Sequence, residues 1–406
     1  MESRIRFDTC KEAKMGRFIP LSIPNFEGNE EKYVGQAVKE GWVSTGGAFV
    51  SELEEKLSEF LHVPMTAACQ SGTAAIHLAL LECGVEPGDH VIVPTLTFIA
   101  AVNPVRYQFG EPIFMDCDDS LCIDPQKLEQ FCREECHMDD NTLICNQTGH
   151  KIKAVIVVHI FGNLADMEAI MAIAERYHLT VIEDATEALG TTVTTGKYQR
   201  KFAGTIGDYG AFSFNGNKII TTGGGGAVTA RDKKAVQHMK YLSTQAKDDE
   251  HFYIHHEVGY NYRMTNLQGA LGVAQMEELP EFIQRKRNNY QRYQKELEDL
   301  KKAELLLFRE GTDPNYWFYS LILNLKECRV SLRGVIDILQ QQGIQTRAIW
   351  GLIHQQKPYQ NFLAYRIEKA VWYGERVLNL PCSTNLTEEE IQIVAEALKK
   401  LLGGAA

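Results

Sequence analysis

The segment DMEAIMAIAERYHLTVIEDATEALG, residues 166–190, joins a helical pattern directly to a strand pattern. Its first apolar residues recur at helical spacing, at Met167, Ile170, Met171, Ala174 and Tyr177. The run LTVIED at 179–184 then forms a continuous apolar pattern that ends in two carboxylates. A helix followed at once by a buried strand is typical of a mostly parallel sheet whose faces are covered by helices. The segment therefore predicts an α/β fold.

Further apolar runs extend this pattern along the first part of the chain, with strands at 90–94 (HVIVP) and 154–158 (AVIVV) and a helix at 73–84. From about Asn266 a long helical pattern follows, in which Pro280 predicts a kink or a junction between helices. Beyond it we expect a strand at 316–325 and helices at 332–342 and 387–401. We therefore predict a large α/β domain at 1–265 and a linking helix with a small C-terminal α+β domain at 266–406.

Composition narrows the class of protein. A formal net charge of −11 argues against a broad nucleic-acid surface, and the sequence has no apolar run of the about 20 residues that a membrane helix needs. We expect a soluble, cytoplasmic protein with no membrane partner. The ten cysteines suit free thiols in a reducing compartment. Since the densest group lacks paired C-x-x-C spacing, we expect no metal centre from Cys132, Cys136, Cys145 and His150.

Three short motifs carry the chemistry, and each falls where a strand of the predicted sheet ends. The segment FSFNGNKIITTGGGGAV at 212–228 places Lys218 between an aromatic strand and a glycine run; the alternative is a surface lysine in a loop. Asp184 ends a buried strand, where a carboxylate needs a cationic partner, unless it caps a helix. Ser71, Gly72 and Thr73 open a helix whose free amides suit an anion, although an ordinary serine cap explains them too.

The motifs SGTAA at 71–75, EDATEALG at 183–190 and NGNK at 215–218 resemble those of the DegT/StrS-type nucleotide-sugar aminotransferases. They stand in that family's order, and the likeness runs from about Ile19 to about Asn379. The resemblance implies a fold type I aminotransferase that binds pyridoxal 5′-phosphate (PLP), with pyridoxamine 5′-phosphate as the intermediate cofactor form. It gives Lys218 the role of the amine that holds the PLP aldehyde and then transfers protons.

The resemblance also assigns residues around the cofactor. Gly72, Thr73 and Ser213 would hold the phosphate, and Asp184 would face the pyridine nitrogen. Phe98 would lie against the ring, unless it is an ordinary core phenylalanine. Ser213 could equally be a strand hydroxyl bonded to its own backbone.

A loop in GYNYRMTNLQGA resembles the family loop that enters the site of a neighbouring subunit. In that loop Asn261 would contact the phosphate and Arg263 would lie close to the substrate. This role implies a homodimer with shared active sites. An intrachain turn is the alternative.

Glu187 departs from the family pattern, because many relatives have Gln or His there, close to the phenolic oxygen of the cofactor. Two bare anions would repel one another. Glu187 therefore either carries a raised pKa and donates a hydrogen bond as a neutral acid, or turns to a basic partner.

The lysine at 218 favours transamination over the dehydratases of the family, in which histidine replaces it. The expected reaction moves an amino group from L-glutamate to a nucleotide-linked keto sugar. Overall likeness is greatest to enzymes that aminate C4 of UDP-4-keto-6-deoxy-N-acetylglucosamine in bacterial nonulosonic acid pathways. A 3-keto sugar aminotransferase and a PLP-binding regulatory or inactive module are the alternatives. Candidate substrate residues in the C-terminal part are Tyr316, Arg347 and His354.

Overall fold

The computed structural model describes residues 18–249, 251–328 and 330–403. Its α-helices are α1 Glu30–Glu40, α2 Ala48–Leu61, α3 Gly72–Cys83, α4 Asn103–Tyr107, α5 Pro125–Glu134, α6 Met167–Tyr177, α7 Lys233–Ser243, α8 Asn266–Glu296, α9 Leu332–Gln341, α10 Lys369–Gly374 and α11 Glu388–Gly403. Its strands are β1 Thr66–Cys69, β2 His90–Pro94, β3 Glu111–Met115, β4 Cys136–Asp139, β5 Thr142–Cys145, β6 Lys151–Val158, β7 Thr180–Asp184, β8 Thr192–Val193, β9 Tyr209–Ser213, β10 Gly226–Ala230, β11 Lys247–Asp249, β12 Ile254–His255, β13 Ala303–Leu305, β14 Thr312–Asp313, β15 Tyr319–Leu323, β16 Arg347–Ala348, β17 Ala364–Tyr365 and β18 Val377–Leu380.

The central sheet has the strand order β1-β10-β9-β7-β6-β2-β3-β17. The pairs from β9 to β17 are parallel, and β10 is antiparallel to both β9 and β1. Strands β2, β6 and β7 are almost wholly buried, as expected for strands covered by helices on both faces. The predicted α/β fold with a mostly parallel sheet is confirmed.

Helices α3 and α6 form where the sequence predicts them, because their ends carry strong capping residues. The Asp166 side chain accepts a hydrogen bond from the Ala169 amide at the start of α6. Helix α3 ends at Cys83 and is capped by Gly84, whose φ of 72° would be strained in a residue with a side chain. Together the caps fix where each neighbouring strand begins.

The C-terminal part contains a second, antiparallel sheet with the order β13-β15-β18-β16, and α9 and α11 lie at the predicted positions. Helix α8 leads into it and packs against α1 and α2. Helix α8 continues through Pro280, so the expected junction between helices is wrong and the kink at this residue stays a prediction. We propose that α8 begins the second domain at residue 266, after a first domain at 1–265.

The polar segment at 129–151, to which the sequence assigns no catalytic role, contains two ordered strands. Strands β4 and β5 pair as an antiparallel hairpin, and β5 joins the edge of β6. Cys132, Cys136 and Cys145 are buried free thiols. Burial raises the pKa of Cys136 to about 12 and that of Cys132 as well, which disfavours the thiolate that binds metals. Across the described ranges, no helix is both long and apolar enough to cross a membrane.

Candidate active site

A pocket of about 390 Å³ opens beyond the carboxyl ends of β7 and β9. Ligands collect at this edge in open α/β sheets. The sequence-predicted residues that line it are Gly72, Thr73, Phe98, Asp184, Glu187, Ser213, Lys218 and Arg347. Residues separated by more than 270 positions in the chain therefore meet in one place, as the shared strand-end positions predicted for most of them.

Lys218 lies in the turn after β9, and its side chain is 13% exposed. Its amide donates to the Asn215 carbonyl, which closes the turn. The Lys218 Nζ lies 3.6 Å from Glu187 Oε1 and 4.1 Å from the centroid of the Trp317 ring. Because Trp317 Nε1 donates to the Asn217 carbonyl at 2.7 Å, the same tryptophan also fixes the turn. The lysine is thus held in the pocket, and the alternative of a surface lysine does not describe its surroundings.

Asp184 is the last residue of β7 and is 4% exposed. Its Oδ1 accepts from the Thr186 amide at 3.0 Å. Burial raises the pKa of Asp184, although the nearby Lys218 charge and the Thr186 contacts partly oppose that shift. A buried carboxylate with so few donors favours a cation or a hydrogen-bond donor in the pocket.

The start of α3 forms a narrow cradle. The Ser71 side chain accepts a hydrogen bond from the Ala74 amide, so Ser71 does act as an ordinary helix cap. First-turn amides of a helix have no partner within that helix and attract anions. A Cβ at Gly72 would lie 2.8 Å from Ser213 Cβ and 2.9 Å from Thr186 Cγ2. Only glycine therefore leaves the backbone and the Ser213 hydroxyl this close together, which fits a phosphate.

Glu187 is 4% exposed and has two partners. The Phe161 amide donates to its Oε2 at 2.8 Å, and Lys218 lies beside Oε1. Burial raises the pKa of Glu187 to about 7, and the Lys218 charge acts in the opposite direction. A carboxyl group that titrates near neutrality beside the lysine suits proton transfer or hydrogen-bond donation.

Aromatic side chains form part of the pocket wall. Phe98 is 54% exposed, so it is not a core phenylalanine, and its ring centroid lies 6.4 Å from that of Trp350. Trp317 and Trp350 both line the pocket and were missed by the sequence analysis. Trp317 directly follows Tyr316, and Trp350 lies three residues after Arg347. This closeness to predicted substrate residues was the signal that could have identified both tryptophans. Arg347 reaches the pocket from β16.

Two candidate substrate residues lie outside this pocket. Tyr316 has a φ of 54° and packs its ring against Phe308 and Tyr290, at centroid distances of 4.9 and 5.2 Å. The adjacent Trp317 occupies the pocket instead. His354 Nδ1 lies 2.6 Å from the Thr95 hydroxyl, and burial lowers the pKa of this histidine. Tyr316 and His354 therefore both have partners within their own chain and do not line the pocket.

Asn261 and Arg263 also lie away from the pocket of their own chain. Arg263 Nη1 lies 3.2 Å from Glu54 Oε1, and Lys240 pairs with the other carboxylate oxygen at 2.6 Å. Asn261 is exposed and forms an isolated bridge with Thr244. A role for this loop in a neighbouring subunit's site remains a prediction.

A larger cavity of about 660 Å³ lies between β8 and the segment at 307–312. Its acidic lining is largely compensated, because Arg309 pairs with Asp118 at 2.5 Å and approaches Asp166 at 3.7 Å. It contains neither Lys218 nor any other predicted reactive group. The smaller pocket, which the sequence-predicted residues line, is therefore the candidate active site in spite of its size.

Comparison with known proteins identifies the family of this chain. Residues 24–399 match the DegT/DnrJ/EryC1/StrS aminotransferase family. A GDP-perosamine synthase from Caulobacter vibrioides (strain ATCC 19089 / CIP 103742 / CB 15) is 36% identical, over 95% of this chain and 98% of the relative.

Solved structures support the same fold. A DegT DnrJ EryC1 StrS aminotransferase from Brucella abortus has a TM-score of 0.83 at 26% identity, covering 93% of this chain and 96% of its own. Spr1654 from Streptococcus pneumoniae, solved in its PLP-form, has a TM-score of 0.84 at 24% identity, covering 95% and 99% of the two chains. At that identity the second likeness shows the fold alone. The chain belongs to the DegT/DnrJ/EryC1/StrS aminotransferase family.

Proposed function

We propose that this chain is a PLP-dependent aminotransferase that moves an amino group from L-glutamate to a nucleotide-linked 4-keto-6-deoxy sugar. The observation that carries the proposal is the meeting of Lys218, Asp184 and the Gly72 cradle in one pocket. PLP needs an amine for its aldehyde, an acid for its ring nitrogen and donors for its phosphate. The pocket offers all three groups.

When bound, PLP supplies an electron sink for the carbon that loses or gains a proton. Lys218 would hold the aldehyde and then carry that proton on Nζ. Asp184 would accept a hydrogen bond from the protonated ring nitrogen and so offset its own burial. The Gly72 and Thr73 amides and the Ser213 hydroxyl would bind the phosphate.

The open side of the pocket would receive the two substrates in turn. Arg347 is exposed there and offers a guanidinium group to a diphosphate or to the carboxylate of the amino donor. Phe98 and Trp350 supply apolar faces beside it. These residues suit an anionic substrate with a ring to pack against them.

Two nucleotide classes are candidates for the acceptor. Overall resemblance favours UDP-4-keto-6-deoxy-N-acetylglucosamine, an intermediate of bacterial nonulosonic acid pathways. The 36% identical relative is named for a GDP-linked amino sugar, which favours a GDP-linked keto sugar as the second candidate. A 3-keto nucleotide sugar is a further alternative within the same chemistry.

We propose that the enzyme works in the cytoplasm as a homodimer. The support is the Asn261 and Arg263 loop, which its own chain does not bring to the pocket. In a dimer this loop would reach the partner's cofactor phosphate.

The cofactor assignment is tested first. Purified chain loaded with PLP is reduced with borohydride, and its peptides are measured by mass spectrometry. We expect a phosphopyridoxyl mass on the peptide that contains Lys218. Its absence from this peptide would refute the proposal, and a loaded protein whose visible absorption does not change with any amino donor would be a binding module instead.

The substrate is tested with a matched panel. UDP- and GDP-linked 4-keto-6-deoxy sugars and a 3-keto nucleotide sugar are each incubated with the enzyme and glutamate. Mass and NMR spectra of the amino products identify the nucleotide and the carbon. We expect the UDP-linked 4-keto sugar to give the highest kcat/KM.

A further inference from the structure

Three potential metal ligands meet at the amino-terminal edge of the central sheet, opposite the edge with the active site. His90 begins β2, Glu111 begins β3, and His150 directly precedes β6. Strand β2 lies between the other two in the sheet, and His90 is the register partner of Glu111. Parallel strands therefore bring the three side chains to one point.

The distances are close to those of a metal site. One ligand atom from each residue can be chosen so that all three lie within 4.8 Å of one another. The His90 Nδ1 lies 3.9 Å from Glu111 Oε2, and the two imidazole centroids are 5.5 Å apart. Ligands of a tetrahedral ion with bonds of about 2.1 Å are about 3.4 Å apart. His150 is exposed and Glu111 is partly exposed, so both have room to close this gap by rotation.

A neighbouring hydroxyl can select the tautomer that metal binding needs. The His90 Nε2 lies 2.7 Å from Thr148 Oγ1. If Nε2 carries the proton and donates it to this oxygen, the Nδ1 lone pair is free. Without a metal, the Glu111 carbonyl oxygen accepts from Nδ1–H at 3.3 Å, whereas an ion bound between Nδ1 and the Glu111 carboxylate would replace that proton and leave Nε2–H as the donor to Thr148. Metal-bound histidines commonly use such a second hydrogen bond to fix the ring.

The turn that presents His150 is well defined. The Cys145 amide donates to the His150 carbonyl at 3.0 Å, and the Gly149 amide donates to the Cys145 carbonyl at 2.8 Å. Gly149 has a φ of 73°, which favours glycine. The backbone of His150 is thus held at the base of the hairpin rather than on a long loop.

We propose that His90, Glu111 and His150 bind one divalent transition-metal ion of the zinc class. Two imidazoles and one carboxylate suit zinc, cobalt or nickel, whereas magnesium and calcium prefer all-oxygen sites. Water would complete the coordination. The ion would fasten the β4–β5 hairpin to the sheet edge, and it would take no part in transamination.

The test uses the full-length chain without an affinity tag, treated with a chelator and then dialysed against Zn²⁺. Bound metal is measured by elemental analysis, and Co²⁺ replaces Zn²⁺ to give visible absorption bands that report the ligand geometry. His150→Ala removes an exposed ligand. The matched control is His137→Ala in β4, whose imidazole is also exposed and pairs with Asn146.

We expect one Zn²⁺ per chain in wild type and in His137→Ala, with affinity at least about 10-fold weaker in His150→Ala. Zn²⁺ should also raise the midpoint of thermal unfolding in the first two proteins and not in the third. Equal affinity in wild type and His150→Ala, or no stoichiometric binding by wild type, would overturn the proposal. Transamination by His150→Ala serves as the check that the variant is folded.

Discussion

Glu183 and Asp184 are consecutive residues at the end of β7, but their carboxylates have very different numbers of hydrogen-bond partners. Glu183 accepts from the amides of Gly204, Ile206 and Gly207 at 2.9, 2.6 and 2.5 Å, and it lies 2.8 Å from His159 Nε2. The Asp184 side chain accepts from the Thr186 amide. Since successive side chains of a strand point to opposite faces, one carboxylate is enclosed by protein and the other faces the pocket.

Lys286 and Lys218 differ in the same manner. Lys286 is 2% exposed and donates to the carbonyls of Trp317 and Cys382, at 2.8 and 2.5 Å. Lys218 instead faces Glu187 and an aromatic ring across the pocket. Glu183 and Lys286 have several hydrogen-bond partners within the protein and stabilise the fold, whereas Asp184 and Lys218 face the pocket and are available to a ligand. The comparison leads to five predictions about activity, stability or both.

The largest effect is expected for Lys218→Met. Without an amine to hold the cofactor and move a proton, kcat/KM should fall by about 10⁴-fold or more. The midpoint of thermal unfolding of the cofactor-free protein should stay near that of wild type. Lys286→Met is the control, because it should lower that midpoint by leaving two buried carbonyls without donors. A Lys218→Met enzyme that retains substantial turnover would contradict the assignment.

The second effect separates the two carboxylates. A charge pair at about 4 Å and an effective dielectric of about 20 contributes about 4 kcal/mol, so Asp184→Asn should lower kcat about 10³-fold. Glu183→Gln should instead lower the free energy of unfolding by about 3 kcal/mol, because its amide group would face N–H donors. Steady-state kinetics and chemical unfolding of both variants measure the difference. Similar changes in both variants would remove the distinction between them.

The sequence predicted most of this site because its residues follow strand ends. Asp184 and Ser213 end strands, and the Ser71–Thr73 motif opens a helix. Apolar periodicity fixes those elements, and caps such as Asp166 and Gly84 fix their bounds.

The contribution of the C-terminal part to the site was harder to predict. Tyr316 has a positive φ and β15 begins only at Tyr319, so strand alternation could not tell which residue of this segment faces the pocket. The structure selects Trp317. The hairpin at 136–145 was missed because cysteines supply part of its buried face, with His137 and Asp139 exposed between them. The orientation of Trp317 and the formation of the hairpin both depend on contacts with residues elsewhere in the chain, which local sequence patterns do not reveal.

The third prediction concerns the pH dependence that Glu187 confers. Its pKa is raised to about 7 by burial, so the neutral acid that can donate a hydrogen bond is present below that pH. The kcat/KM of wild type should therefore decline above about pH 7. At about pH 8 the kcat/KM of Glu187→Gln should be about 10-fold higher than that of wild type. Profiles of kcat/KM report this group in the free enzyme. An unchanged alkaline limb in Glu187→Gln would exclude the neutral-donor role.

The same group affects stability with a definite sign. A buried acid whose folded-state pKa lies above its ordinary value binds its proton more tightly in the folded protein. Its favourable contribution is present below about pH 4.5 and is lost as pH rises towards 7. Relative to Glu187→Gln, the cofactor-free wild type should lose unfolding free energy across this range. Chemical unfolding at several pH values measures it.

The smallest effect is expected at Trp317, because this uncharged side chain contacts the turn that carries Lys218 through a single hydrogen bond. Trp317→Phe keeps a ring beside Lys218 but removes the hydrogen bond to the Asn217 carbonyl, a loss of about 1 kcal/mol. We expect kcat to fall about 5-fold. The KM for the amino donor should stay nearly constant, because the loosened turn affects the position of Nζ more than binding. Trp372→Phe, at an indole that is 45% exposed and does not line the pocket, is the matched control. A change confined to KM, or equal changes in both variants, would mean that Trp317 only forms part of the wall.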